Sequence, residues 1–259
     1  MILKQNRLIQ LLYCIYMLVR YDVVSDVGCV RTNNEDMALA FNEQIRDSSY
    51  NLEFEVPEDC RLNAIVADGM GGYENGEVAS QIATTAFSEF LQNLPTGLEP
   101  AQVILKLKEW TQIVNNEIIS HAQGSGMGCT LSGLFTYEDT AFVINIGDSR
   151  TYRQRFGVFK QLTTDHSERN RVSDENVASN LIYNALGVRG AFIDVTPMSL
   201  VPDDLFLICT DGLTDMISDE DIYNILRDPE TGTASELVEA AKVAGGTDNI
   251  TAIIFKVTE

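Results

Sequence analysis

Short apolar runs recur along the chain at 64–67, 131–135, 141–146, 205–209 and 250–257, each bordered by glycine, aspartate or polar clusters. Runs of this length with such borders predict β-strands. Between the first two the period changes. Over 77–94, Val78, Ile82, Ala86, Phe87, Phe90 and Leu91 recur at helical spacing behind an acidic first turn, and Pro95 and Gly97 end the pattern. A second helix is predicted from Pro100 or Ala101 to about Ala122, with Val103, Leu107, Trp110, Val114 and Ile118 on one face. Shorter helices are predicted at 219–226 and 235–243. Strands in clusters and helices in pairs predict a layered α+β architecture rather than regular βαβ alternation. No internal repeat, low-complexity tract or Pro/Ser-rich linker divides the chain, so one continuous domain is expected.

The N-terminus changes the picture only slightly. Lys4 and Arg7 precede an apolar run over residues 8–19, which superficially resembles a signal peptide. The run is too short to span a bilayer, contains Gln10, ends at Arg20 and lacks a small-residue cleavage site before the polar segment at 21–26. An added strand or helix is therefore expected, with residues 1–20 an extension and 21–259 the main domain. No membrane association is expected, and the cytoplasm is the expected compartment. The five cysteines, Cys14, Cys29, Cys60, Cys129 and Cys209, agree with it: odd in number and without CxxC spacing, they read as buried thiols in a reducing compartment.

The formal charge of −20 carries more information. A surface this acidic, without a visible basic patch, argues against nucleic acid as a partner. It fits either a solvated surface or carboxylates gathered to hold cations, and position along the chain decides between them. Three strands run directly into acids: residues 63–67 into Asp68-Gly69, 142–146 into Gly147-Asp148, and 205–210 into Asp211-Gly212. Asp248-Asn249 instead precedes the run at 250–257. In antiparallel neighbours the end of one strand lies beside the start of the next, so four aspartates can meet at one edge. Any single Asp-Gly is more simply a tight turn. Carboxylates clustered at close range, however, repel and raise one another's pKa unless cations neutralise them. With only His121 and His166 in the chain, a zinc site or histidine triad has little to work with, and oxygen donors predict magnesium or manganese. Arg31 stands close before Glu35 and Asp36. Alone that is a surface salt bridge; beside a metal site its planar fork suits phosphate oxygens.

Taken together, the segments 25–36, 66–80 (VADGMGGYENGEVAS), 128–130, 145–150 (NIGDSR), 162–167 (LTTDHS), 184–187 (NALG), 207–215 (LICTDGLTD) and 245–249 (GGTDN) resemble, in order, the metal-dependent protein phosphatases of type 2C, or PPM phosphatases. Met70 in DGMGG resembles the bacterial branch; eukaryotic members commonly have His there. The resemblance implies a four-layer α-β-β-α sandwich with two central antiparallel sheets flanked by helices. It implies two ions, Mn²⁺ or Mg²⁺, with Asp68 bridging both, Asp211 and Asp248 on the first, and Asp36 with the Gly69 carbonyl on the second. Asp148 with Asp211 resembles a third, weaker position. Glu35 and Asn249 would stand behind the ligands, and Arg31 would hold the substrate phosphate.

The implied reaction is hydrolysis of phosphoserine or phosphothreonine by a metal-bridging hydroxide attacking phosphorus in line, without a phosphoenzyme. Phosphorylated proteins are the implied substrates, a cognate Ser/Thr kinase the implied counterpart, and a monomer the expected state. Met70 leaves no side-chain general acid, so a metal-bound water is expected there, while His166 is expected to be structural. The stretch between Ser167 and Asn184 is shorter than in bacterial relatives, which predicts a reduced flap. A non-catalytic phosphoprotein-binding relative is the alternative, although such a protein has no chemical need for all of Asp36, Asp68, Asp211 and Asp248. A calcium module is disfavoured, because no stretch supplies the alternating acids and central glycine of an EF-hand loop.

Overall fold

Strands whose side chains are apolar on both faces must be covered twice, and the fold is built around that requirement. The computed structural model describes residues 17–57, 60–71, 75–122, 124, 126–172, 181–227 and 232–258. In chain order the elements are β1 (Leu18–Asp26), β2 (Met37–Ala40), β3 (Glu43–Ile45), β4 (Ser48–Glu55), β5 (Asn63–Ala67), β6 (Gly69–Gly71), α1 (Gly76–Asn93), α2 (Pro100–Ala122), β7 (Met127–Cys129), β8 (Leu131–Tyr137) and β9 (Thr140–Ile146). There follow β10 (Arg150–Arg155), β11 (Val158–Gln161), α3 (Glu168–Val172), β12 (Asp194–Met198), β13 (Leu205–Cys209), α4 (Asp211–Thr214), α5 (Asp219–Leu226), α6 (Ala234–Val243) and β14 (Ile250–Thr258).

Two six-stranded sheets, each antiparallel throughout, run in the orders β11-β10-β13-β14-β1-β4 and β12-β9-β8-β5-β2-β3; β6 and β7 form a separate pair. Alternation along single strands shows the layering. In β14, Ile253, Phe255 and Val257 meet Ala64, Val66 and Leu134 of the facing sheet, while Ile250, Ala252 and Ile254 pack under Leu213, Ile222, Leu237 and Ala241 of α4, α5 and α6. In β5, Ile65 and Ala67 turn the other way, onto Ala83 and Phe87 of α1 and Leu107 and Val114 of α2. The order helices, sheet, sheet, helices is the four-layer sandwich that the motifs imply.

The five strands and four helices expected from periodicity are all present. The helical face of α1 differs: Ala79, Ala83, Phe87 and Leu91 are buried, whereas Val78 is 36% exposed and Ile82, Ala86 and Phe90 lie at the margin. Ala79 and Ala83 start the buried stripe where the helix sits close to β2 and β7, and Phe87 and Leu91 continue it. Strands such as β10 (RTYRQR) and β4 (SSYNLEFE) carry too many polar residues to stand out in the sequence. The expected extension lies mostly outside the described residues, but Leu18, Val19 and Arg20 form the start of β1, paired with β14 and β4. Most of the flap segment, residues 173–180, and Cys14 also lie outside them. Cys60 is half-buried, Cys129 and Cys209 are buried, and all three are free thiols; Cys29, also free, is exposed rather than buried, because it sits on a loop outside the sheets.

Candidate metal centre

Strand register brings the acids together. Cys209, the last residue of β13, pairs with Ala252 near the start of β14, and Asp26 at the end of β1 pairs with Ile250, so Asp211 and Asp248 leave the first sheet at one edge. In the second sheet Ala67 at the end of β5 pairs with Met37 at the start of β2, which places Asp68 beside Asp36. Hydrogen bonds then join the two sheets. Thr210 Oγ1 donates to Asp36 Oδ2 at 2.8 Å, and the Glu35 amide donates to Asn249 Oδ1 at 2.9 Å. Asn249 also donates to the Val27 and Asn33 carbonyls, tying the loop that carries Arg31 to the start of β14.

Close approach here depends on two missing side chains. A Cβ on Gly69 would lie 2.2 Å from the Gly76 carbonyl oxygen and 2.5 Å from that of Glu35, and one on Gly212 would lie 1.9 Å from the Asn249 oxygen. The Asp-Gly pairs therefore do more than turn the chain: they let α1 and the Glu35 segment close on Asp68, and α4 close on β14.

The electrostatics are those of crowded carboxylates. Asp36 is 1% exposed, and burial followed by repulsion from Asp211 and Asp248 pushes its pKa up to about 7 against the pull of the Thr251 and Thr210 hydroxyls. Burial and the charge of Asp211 push Asp148 up to about 7 as well. Asp68 is raised well above the usual range, by burial first and then by Asp36 and Asp211. Asp211 is raised as well, by burial first, and its proximity adds to the rise at Asp68. Asp68, Asp148, Asp211 and Asp248 retain partial exposure, so the cluster opens to solvent.

Arg31 extends to Asp248 rather than to its sequence neighbours, with Nη2 2.7 Å from Oδ2 and both side chains about half exposed. Among the described residues no group of three or more His, Cys, Asp or Glu side chains is already arranged to hold an ion. Asp248 is engaged by Arg31, and Asp36 by Thr210. The donor chemistry fits a hard divalent ion all the same: carboxylate oxygens from four elements, no sulfur or imidazole among them, and mutual repulsion that a cation would relieve. Glu35, half-buried behind Gly76, has its own pKa raised by burial and by Glu77.

Further residues brace the clustered acids, and Thr130 among them carries no chemical mark in the sequence. Thr130 clasps Asp68 twice: its Oγ1 accepts from the Asp68 amide and its amide donates to the Asp68 carbonyl, both at 2.9 Å. Asp165 grips Arg150 through both carboxylate oxygens at 2.7–3.1 Å. His166 is 2% exposed; its Nδ1 accepts from the Gly147 amide and from Asn184 Nδ2, which leaves the proton on Nε2 facing Asp194 Oδ2 at 3.0 Å. This ring braces the turn before Asp148 and touches none of the clustered carboxylates.

Comparison with known proteins agrees with this architecture. A family model described as Protein phosphatase 2C matches residues 42–241. The serine/threonine phosphatase Stp of Listeria monocytogenes is 31% identical over 249 residues, covering 90% of this chain and 93% of that protein. The serine/threonine protein phosphatase PstP of Mycobacterium tuberculosis is 31% identical over 94% of this chain and 46% of its own length. The crystal structure of the PstP catalytic domain in complex with two manganese ions superposes with a TM-score of 0.75, at 31% identity over 94% of this chain and all of that one. A Streptococcus agalactiae serine/threonine phosphatase superposes with a TM-score of 0.77 at 25% identity, over 93% of this chain and all of that one. Motif order, sandwich architecture and matched length converge on one conclusion: the chain belongs to the protein phosphatase 2C family.

Proposed function

We propose that the chain is a metal-dependent phosphoprotein phosphatase that hydrolyses phosphoserine and phosphothreonine, using Mn²⁺ or Mg²⁺. The observation that carries this reading is the convergence, across two sheets, of Asp36, Asp68, Asp148 and Asp211 into one crowded cluster with raised proton affinities. Asp68 would contact both ions, Asp211 and Asp248 the first, and Asp36 with the Gly69 carbonyl the second; Asp148 would serve a weaker third position. When bound, the ions activate water for attack on phosphorus and offset charge on the phosphate oxygens.

The protein's own part is to place and discharge these groups. Thr130 fixes the Asp68 backbone, Thr210 orients Asp36, and Asn249 holds the loop of Glu35 and Arg31. Arg31, released from Asp248, presents a planar fork to the phosphate of an incoming phosphoprotein. Its side chain is 55% exposed and can reach outward. The four free thiols among the described residues suit the cytoplasm, where a Ser/Thr kinase would supply the phosphorylated substrates. Among the described residues no helix is long and apolar enough to cross a membrane.

Hydrolysis of a phosphothreonine peptide should require Mn²⁺ or Mg²⁺, stop with chelator, and fall by at least about a hundredfold in Asp68→Asn and Asp211→Asn, the scale of removing one electrostatic contributor to a transition state. Full activity in either variant, or in chelator, rejects the reading. Absence of Mn²⁺ binding by calorimetry would favour the non-catalytic relative.

A further inference from the structure

The turn at Arg46 and Asp47 carries the chain from β3, at the edge of one sheet, to β4, at the edge of the other, and both residues reach back to the segment that carries Glu35 and Asp36. Arg46 Nε donates to the Asp36 carbonyl at 2.8 Å, and its Nη2 donates to the Glu77 carbonyl at 2.9 Å and to Ser80 Oγ at 2.8 Å. Ser80 Oγ in turn donates to the Glu35 carbonyl at 2.6 Å, which also accepts from the Gly69 amide at 3.2 Å. Asp47 accepts from Asn34 Nδ2 at 2.9 Å, and Asn34 Oδ1 accepts from the Asp36 amide at 3.1 Å. One guanidinium thus joins the backbone of Asp36 to the first turn of α1, and through Ser80 to Glu35 and Gly69. It is half-buried among the carboxylates of Glu35, Asp36, Asp47 and Glu77.

We propose that Arg46 is a positioning residue of the metal centre: its three-way hydrogen bonding keeps the Asp36 carboxylate and the Gly69 carbonyl aimed at a common ion. The inference rests on the reading of Asp36 and Gly69 as ligands given above. Groups that orient metal ligands from behind commonly govern affinity by about ten- to a hundredfold. The planar fork is essential to the geometry, since three acceptors on two elements are spanned by one rigid group.

The sign of the effect separates positioning from charge. A cation beside a metal site repels the metal, so removing Arg46 would tighten Mn²⁺ if its charge were all that mattered. If it positions ligands, removal weakens binding. Mn²⁺ dissociation constants of the full chain, measured by the electron paramagnetic resonance of free Mn²⁺ and by calorimetry, should therefore rise at least about tenfold in Arg46→Gln and less in Arg46→Lys, which keeps the charge but not the fork. Gln44→Ala serves as control: it removes hydrogen bonds from neighbouring β3 to Thr84 and Thr85 without touching the Asp36 segment, and should leave Mn²⁺ affinity unchanged. Unchanged or tighter binding in R46Q, or equal weakening in Q44A, overturns the role of Arg46. If R46Q does not fold, R46K carries the test with the same sign. A wild-type protein that binds no Mn²⁺ removes the site itself, and this role with it.

Discussion

Thr210 occupies the position before Asp211-Gly212 and is fully buried. Its hydroxyl donates to Asp36 and accepts the Thr251 amide at 3.1 Å, so it serves both the carboxylate and the strand ladder. Thr210→Val keeps the shape and removes both bonds, leaving a buried amide without its acceptor. A loss of about 2–3 kcal/mol follows from a hydrogen bond to a charged group plus an orphaned donor. Denaturant unfolding measures it, and Mn²⁺ affinity should weaken in the same variant because Asp36 loses a hydroxyl that favours its ionised form. A Thr210→Val protein of unaltered stability would contradict this account. Asp68 and Asp211 stand out in the sequence because carboxylates at strand ends are chemically conspicuous. Thr130, Thr210 and Arg46 do not, because a hydroxyl or guanidinium acquires its role only from what faces it.

At the scale of elements, helix ends show how far local chemistry reaches. Ser218 caps α5, accepting from the Asp221 amide while the Asp221 carboxylate accepts from the Ser218 amide, a complete capping box. The pattern Ser-Asp-Glu-Asp is local, and the helix over 219–226 is correspondingly legible in the sequence. Ser218→Ala should cost about 1 kcal/mol, or about 2–4 °C in Tm for a domain of this size, with phosphatase activity unchanged. Thermal melts and peptide assays on the same preparation check both halves. By contrast, α4 is a four-residue helix whose existence depends on Gly212 lying against Asn249, and no local period announces it.

For the whole molecule, the cluster couples stability to pH. Asp36 and Asp148 have an ordinary value of 3.8 and are pushed up to about 7 in the fold, by burial first and neighbouring carboxylates next. The folded state therefore holds these protons more tightly than the unfolded chain. Their stabilising contribution is fully present below about pH 4 and is lost as pH rises to and through about 7. In chelator, the Tm should fall between about pH 5 and 8. Mn²⁺ added at pH 8 should restore it, since the ion binds the ionised carboxylates of the folded protein, and Mn²⁺ added near pH 6 should release protons. Melts at several pH values with and without Mn²⁺ measure this; a Tm that rises across that range in chelator contradicts it. The formal charge of −20 adds self-repulsion that a bound cation also reduces.

Element type was legible wherever periodicity was strong, because burial on both faces of a strand or one face of a helix writes itself into consecutive residues. The residues 205–209 and 219–226 show this, and the acids at strand ends sit within the ordered motifs that carry the resemblance to the family. Which acids meet was decided by register and by the facing of two sheets. Asp36 and Thr210 are 174 positions apart and belong to different layers, and no local pattern encodes their 2.8 Å contact. The same holds for the partner of Arg31: sequence proximity suggested Glu35 and Asp36, whereas the fold offers Asp248, because the Asn249 side chain draws that loop across the end of β1. Composition and period determine layers; only packing between layers determines the site.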